Sequence, residues 1–192
     1  MEIANWRHIC VDVQRLFLDE TPWRVPWMGN ILPQVLEVSG RHADKTYFTR
    51  FIPPSAAAVS VGAWKDYYRK WWMMTGEHLP VELLDLPTEL RRLVPPAKLF
   101  DKNIYSPWLQ GNLLGDLRRQ RVRTLVVSGG ETDICVLATV LGAIDLGFHV
   151  IVLKDAVCSG TAETHHAAID LLTDRFSVQL KLVSTEVFLT AV

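Results

Sequence analysis

The 192-residue chain lacks an excess of either charge: 20 Lys and Arg stand against 21 Asp and Glu, a net charge of −1. Neither sign forms a run. Nucleic acid and anionic membrane select basic patches, so the composition speaks against both and leaves a small molecule as the default partner. Long apolar runs are missing too. The longest fall well short of the roughly 20 residues that span a bilayer, and "MEIANWRHIC" has no basic segment leading into an apolar core. A soluble, cytoplasmic protein is expected. Cysteine is scarce, and Cys10, Cys135 and Cys158 are an odd number at irregular spacing. That speaks against a disulfide framework and a CxxC-type zinc site, so each thiol must be judged by its surroundings. With no internal repeat and no low-complexity linker, residues 1–192 are expected to form a single domain.

What the chain does have is an alternation. Short β-rich runs recur at 8–13, 45–50, 97–102, 124–129, 149–155 and 177–183. Stretches with helical potential separate or follow them at about 29–39, 61–74, 87–94, 110–120, 133–146, 162–174 and 184–190. Most of the strand candidates are apolar throughout, as strands covered on both faces should be. The alternation predicts a three-layer α/β/α, Rossmann-like fold with a six-stranded, mainly parallel sheet.

In such sheets ligands bind beyond the carboxyl ends of the strands, so the residues closing each strand carry the most information. Three have reactive side chains. Asp12 sits in "ICVDVQ", where an unpaired carboxylate among apolar neighbours would be costly and a partner is required. Lys102 ends "AKLFDK" and is a candidate partner, although a surface lysine is the commoner case. Cys135 follows "SGGETDI", placing it on the first turn of a helix that Thr132 or Asp133 could cap. Free N–H groups and the helix dipole there favour a thiolate, and a lowered thiol pKa is predicted. The plain alternative is a small buried hydrophobe.

These blocks resemble a known family. "VDVQ" with Asp12, "DKNIYSPW" with Lys102, and "SGGETDICVLATVLGAIDLGFHVIVLKDAVCS" with Cys135 look like the three signature blocks of the isochorismatase-like cysteine hydrolases, and the likeness runs from the first strand to "ETHHAAIDLL". The resemblance implies an Asp-Lys-Cys amidohydrolase. Cys135 would attack a carbonyl, Asp12 would take its proton and pass it to the leaving amine, and Lys102 would hold both. It also implies a cis peptide between Gly130 and Glu131, with the N–H groups of Glu131 and Cys135 forming an oxyanion hole. Glu131 departs from the small or apolar residue expected there, which leaves its side-chain direction open.

Family members that cleave a vinyl ether can dispense with the thiol, so Cys135 favours C–N cleavage of a small amide, ureide or carbamoyl substrate through a thioester. Isochorismatase-type ether hydrolysis and a non-catalytic assembly protein on the same fold are the competing readings. The metal-binding relatives carry an Asp-x-His motif after the second strand. Here "FTRFIPPSAAA" occupies that place, with no histidine between His42 and His78, so neither metal nor cofactor is expected. His165 and His166 are read as part of a capped surface helix. Gln14, Phe17, Trp23, Arg50, Tyr105 and Thr132 are the candidates for the substrate pocket, Arg50 being as readily a partner for a loop acid. The segment "WKDYYRKWWMMTGEHLP" holds three of the seven tryptophans. Its spacing of aromatics favours a subunit interface over a pocket wall, and a homodimer or homotetramer is expected from the family.

Overall fold

Six strands lie side by side, all parallel, in the computed structural model, which describes residues 3 and 5–192. They are β1 (Trp6–Val11), β2 (Thr46–Phe51), β3 (Lys98–Lys102), β4 (Thr124–Gly130), β5 (His149–Cys158) and β6 (Leu180–Val183). Their spatial order is β3-β2-β1-β4-β5-β6. The chain builds outward from β1 in one direction, then returns and builds outward in the other. The switch lies between β1 and β4, and a crevice opens beyond their carboxyl ends at that point.

Side-chain alternation explains why both faces are covered. Along β1, Cys10 packs into one core while Ile9 and Val11 pack into the other; along β4, Val126 faces the first and Leu125 and Val127 the second. A strand with period two must do this when neither face meets water. The first core is closed by α2 (Met28–Arg41) through Ile31, Val35 and Val38, with Leu90 of α4 (Thr88–Arg91) and Phe188 of α8 (Thr185–Leu189) beside it. The second is closed by α5 (Leu113–Arg119), α6 (Leu137–Asp145) and α7 (Ala162–Arg175) through Leu117, Val140 and Leu172. Each fully buried aliphatic side chain contributes roughly 1.5–3 kcal/mol. Two further short helices, α1 (Arg15–Leu18) and α3 (Ala63–Lys70), sit in the loops after β1 and β2. Among the described residues no helix is long and apolar enough to cross a membrane.

The differences from the expected boundaries have local causes. The first strand stops at Val11 because Asp12 takes φ +51°. The fifth runs on to Cys158, its ladder with β4 shifting register between Val127 and Gly129. Gly129 has φ +106°, and a Cβ there would lie 2.0 Å from the Val11 carbonyl oxygen, so only glycine lets β4 approach β1 this closely. The last strand begins at Leu180 rather than 177, since the N–H groups of Gln179 and Leu180 turn back to the Phe176 carbonyl. The Trp-rich helix is shorter than expected, breaking at Trp71 and continuing as one 3-10 turn over Trp72–Met74.

Candidate active site

Three charged or reactive side chains meet at the crevice. Asp12 follows β1 in the left-handed region, uncommon for a non-glycine residue though better tolerated by Asp than by most. Its backbone N–H donates to the Thr49 hydroxyl at 3.1 Å, and that hydroxyl donates to Asp12 Oδ1 at 2.6 Å. The carboxylate is thereby pinned, leaving Oδ2 for Lys102. The ammonium at the end of β3 donates to Asp12 Oδ2 at 2.6 Å, to the Ile104 carbonyl at 3.2 Å and to Cys135 Sγ at 3.6 Å. All three of its donors are used, which fixes the head group in space. Lys102 is 1% exposed and is therefore not the surface lysine of the plain reading. Burial alone would lower its pKa, but the Asp12 carboxylate, and then the Cys135 sulfur, reverse this and hold it above the usual lysine value. The buried ammonium stays charged because it is paired.

Cys135 differs from expectation in two ways. The turn that carries it, Thr132–Val136, is a π-helical turn leading into α6, closed by the Val136 N–H on the Glu131 carbonyl at 3.0 Å. Neither Thr132 nor Asp133 caps it: the Thr132 hydroxyl pairs with His165 Nδ1 at 3.0 Å, and Asp133 accepts from Ser159 Oγ at 2.6 Å. The thiol pKa is not lowered. Burial, then the negative charge of Asp12, push it well above the usual cysteine value, and Lys102 offsets only part of this. The resting group is a thiol next to a carboxylate.

The peptide between Gly130 and Glu131 is cis. It joins the end of β4 to the Cys135 turn, and both residues line a cavity of about 240 Å³ that reaches the thiol. The walls are aromatic: Phe17, Trp23, Phe51, Tyr67, Trp71 and Tyr105. The Lys102 ammonium lies 5.2 Å from the Phe51 ring centroid on the buried side. A volume just under the usual range for ligand pockets suits a small molecule.

The isochorismatase domain model matches residues 8–183. The chain belongs to the isochorismatase family. A family protein of Bacillus subtilis (strain 168), the "uncharacterized isochorismatase family protein PncA", is 33% identical over 132 residues, which are 69% of this chain and 64% of that one. The chain thus spans less than two thirds of that relative. Among solved structures, a cysteine hydrolase from Pseudomonas syringae pv. phaseolicola 1448A is similar at TM-score 0.84 and 19% identity, over 100% of this chain and 93% of the other. The N-carbamoylsarcosine amidase of Thermoplasma acidophilum matches at TM-score 0.76 and 18% identity, over 95% and 97% of the two chains. At such identities these likenesses establish the shared α/β fold.

Within this isochorismatase-family fold, the pocket candidates divide. Phe17, Trp23 and Tyr105 line the cavity. Gln14 does not: it is fully buried, its side chain accepting from the Phe51 N–H at 2.6 Å and donating to the Phe51 and Leu84 carbonyls, so it ties β1 to β2. Arg50 is also removed from the cavity, because Asp101 holds its guanidinium in a two-bond fork at 2.7 and 2.8 Å and Asp85 takes a third contact. Thr132 is fully buried, spends its hydroxyl on His165 and does not line the cavity. The aromatic segment contributes Tyr67 and Trp71 to the wall, while Trp72 of the same segment is exposed. Trp23 packs against Tyr67, Tyr68 and Trp71, which draws α3 over the crevice. Sequence reasoning missed Thr49, although its place at the end of β2, next to Arg50, is the kind of position that the strand-end rule selects. No group of three His, Cys, Asp or Glu residues that could hold a metal occurs among the described residues.

Proposed function

We propose that this protein is a cysteine hydrolase that cleaves the C–N bond of a small amide, ureide or carbamoyl compound through a thioester. The observation that carries the reading is the single Lys102 ammonium bonded at once to Asp12 Oδ2 and to the Sγ of Cys135, which lines the aromatic cavity. Asp12 takes the thiol proton as Sγ bonds to the substrate carbonyl carbon, and Lys102 compensates the charge of both states. The oxyanion is received by the backbone N–H groups of Glu131 and Cys135. As the C–N bond breaks, the proton on Asp12 passes to the leaving nitrogen and an acyl thioester remains. Water then attacks the thioester with Asp12 again accepting a proton, the acid leaves, and the thiol is restored. Because the resting thiol is held protonated, an adjacent base is a chemical requirement, and positioned bases typically contribute about 10²–10⁴ in rate.

The names borne by two structural neighbours, a cysteine hydrolase and an N-carbamoylsarcosine amidase, are consistent with this chemistry. The test is ammonia release from a panel of small primary amides, ureides and N-carbamoyl compounds by the wild type and Cys135→Ala. Turnover that disappears in the variant supports the reading. A vinyl ether substrate turned over equally by both would replace it with ether hydrolysis.

A further inference from the structure

The cavity contains an unbalanced charge. Two cations touch its surroundings and each has its own acid: Lys102 is paired with Asp12, and Arg24 with Glu20. Glu131 lines the same cavity, is half-buried, accepts the Gly160 backbone N–H and forms no ion pair with any described residue. A carboxylate withdrawn from water without a cation is unfavourable, and proteins rarely leave one so. Beyond the Gly160 N–H, the lining of the cavity that it shares is mainly aromatic. Burial first, with the Glu131 charge among the smaller causes, holds the Tyr67 and Tyr105 phenols above their usual values, so both rings are neutral at physiological pH. Neutral aromatic faces beside a lone carboxylate are the surroundings in which an organic cation is best held.

We infer that the pocket selects substrates bearing a basic amino or other cationic group, with the Glu131 carboxylate as its partner and the aromatic walls around its alkyl stem. The assignment rests on the hydrolase reading above for the reacting end and concerns the other end of the substrate. Glu131 thereby has two separable roles, its backbone facing the reaction and its side chain choosing the substrate. An anion held by Arg24 is the opposite choice, and Glu20 already occupies that guanidinium.

Three probes of similar length test it: δ-aminovaleramide (cationic), hexanamide (neutral) and glutaramate (anionic). Binding is measured by calorimetry on Cys135→Ala, so that no turnover intervenes, and ammonia release is measured separately on the wild type. The expected result is that the cation binds about tenfold or more tightly than hexanamide. That preference should shrink to near unity in Cys135→Ala carrying Glu131→Gln. Equal affinity for the cation and hexanamide, no detectable binding of the cation, or preference for glutaramate would each overturn the inference, and none needs the Glu131 variant to fold. Absence of ammonia release from any probe in the presence of cation-selective binding would count against the hydrolase reading and leave the inference standing.

Discussion

Two buried polar clusters lie near each other, one on β1, β2 and β4 around His8 and one beyond the strand ends around Asp12 and Lys102. In the lower one His8 is fully buried, with Nδ1 3.2 Å from the Thr46 hydroxyl and Nε2 2.8 Å from the Ser128 hydroxyl. Thr46 spends its own proton on the His42 carbonyl, so His8 donates through Nδ1 and accepts from Ser128. Burial, and then His42, lower its pKa to about 3, keeping the ring neutral. Cys10 beside it is pushed up to about 12, mainly by burial. In the upper cluster Asp12, Lys102 and Cys135 are also buried, yet two of the three are charged. Both clusters contain a thiol that burial keeps protonated. The difference is that Cys135 has an ammonium beside the Asp12 carboxylate to balance the charge and a cavity in front of it, whereas Cys10 feels the Asp12 charge only as a minor cause of its raised pKa and lines no such cavity. Under the proposed chemistry, Cys135 is set apart by the group that can take its proton, and its resting pKa does not single it out.

The comparison breaks most sharply through the thiols. Cys135→Ala is expected to lower turnover of any amide substrate by about 10⁴-fold or more, while Cys10→Ala changes kcat by only a few-fold; steady-state ammonia release on both variants decides. Asp12→Asn should lower kcat by about 10²–10⁴ through loss of the base. It also leaves the Lys102 charge unpaired, costing roughly 3–5 kcal/mol of stability in denaturant titration. The neutral cluster should fail differently, through acid. His8 is depressed to about 3 in the fold against about 6.5 unfolded, so the unfolded chain binds the extra proton. Its contribution is complete above about pH 6.5 and falls as pH drops toward 3, by up to roughly 5 kcal/mol. His8→Gln, with no proton to gain, should flatten that part of the stability–pH curve. The smallest effect is at Glu131. Its carboxyl is raised, first by burial and then by Asp133, so the fold loses stability as pH rises through that window and stays lower above it. Glu131→Gln should therefore melt a few degrees higher at neutral pH, with the gain vanishing below about pH 4.

Much of the fold is legible in the sequence. Buried parallel strands write themselves as unbroken apolar runs, so "TLVVSG" and "HVIVLKD" locate β4 and β5 to within a few residues. Asp12, Lys102 and Cys135 are candidates because they close or follow strands, and the resemblance to the family's signature blocks is what singles them out. What escaped depends on three-dimensional partners. Arg50 and Gln14 look like pocket residues at their strand ends, and only the acids and carbonyls brought up by distant segments show that both are fully engaged. The role of the Trp-rich segment turned on whether α3 folds over the crevice, which is set by Trp23 packing from another loop. The direction of the Cys135 pKa was misread because the helix dipole is a local signal, while burial and the Asp12 charge are not.

The most direct test of the account is the rate of iodoacetamide labelling at Cys135, mapped by peptide mass, against pH in the wild type and Asp12→Asn. If Asp12 takes the proton during attack, wild-type labelling is nearly flat from about pH 6 to 8, and the variant is slower at every pH and accelerates about tenfold per unit. If instead the wild-type thiol were already ionised, loss of the Asp12 carboxylate would not slow labelling at any pH, and a variant that labels as fast as the wild type with an equally flat profile would contradict the account.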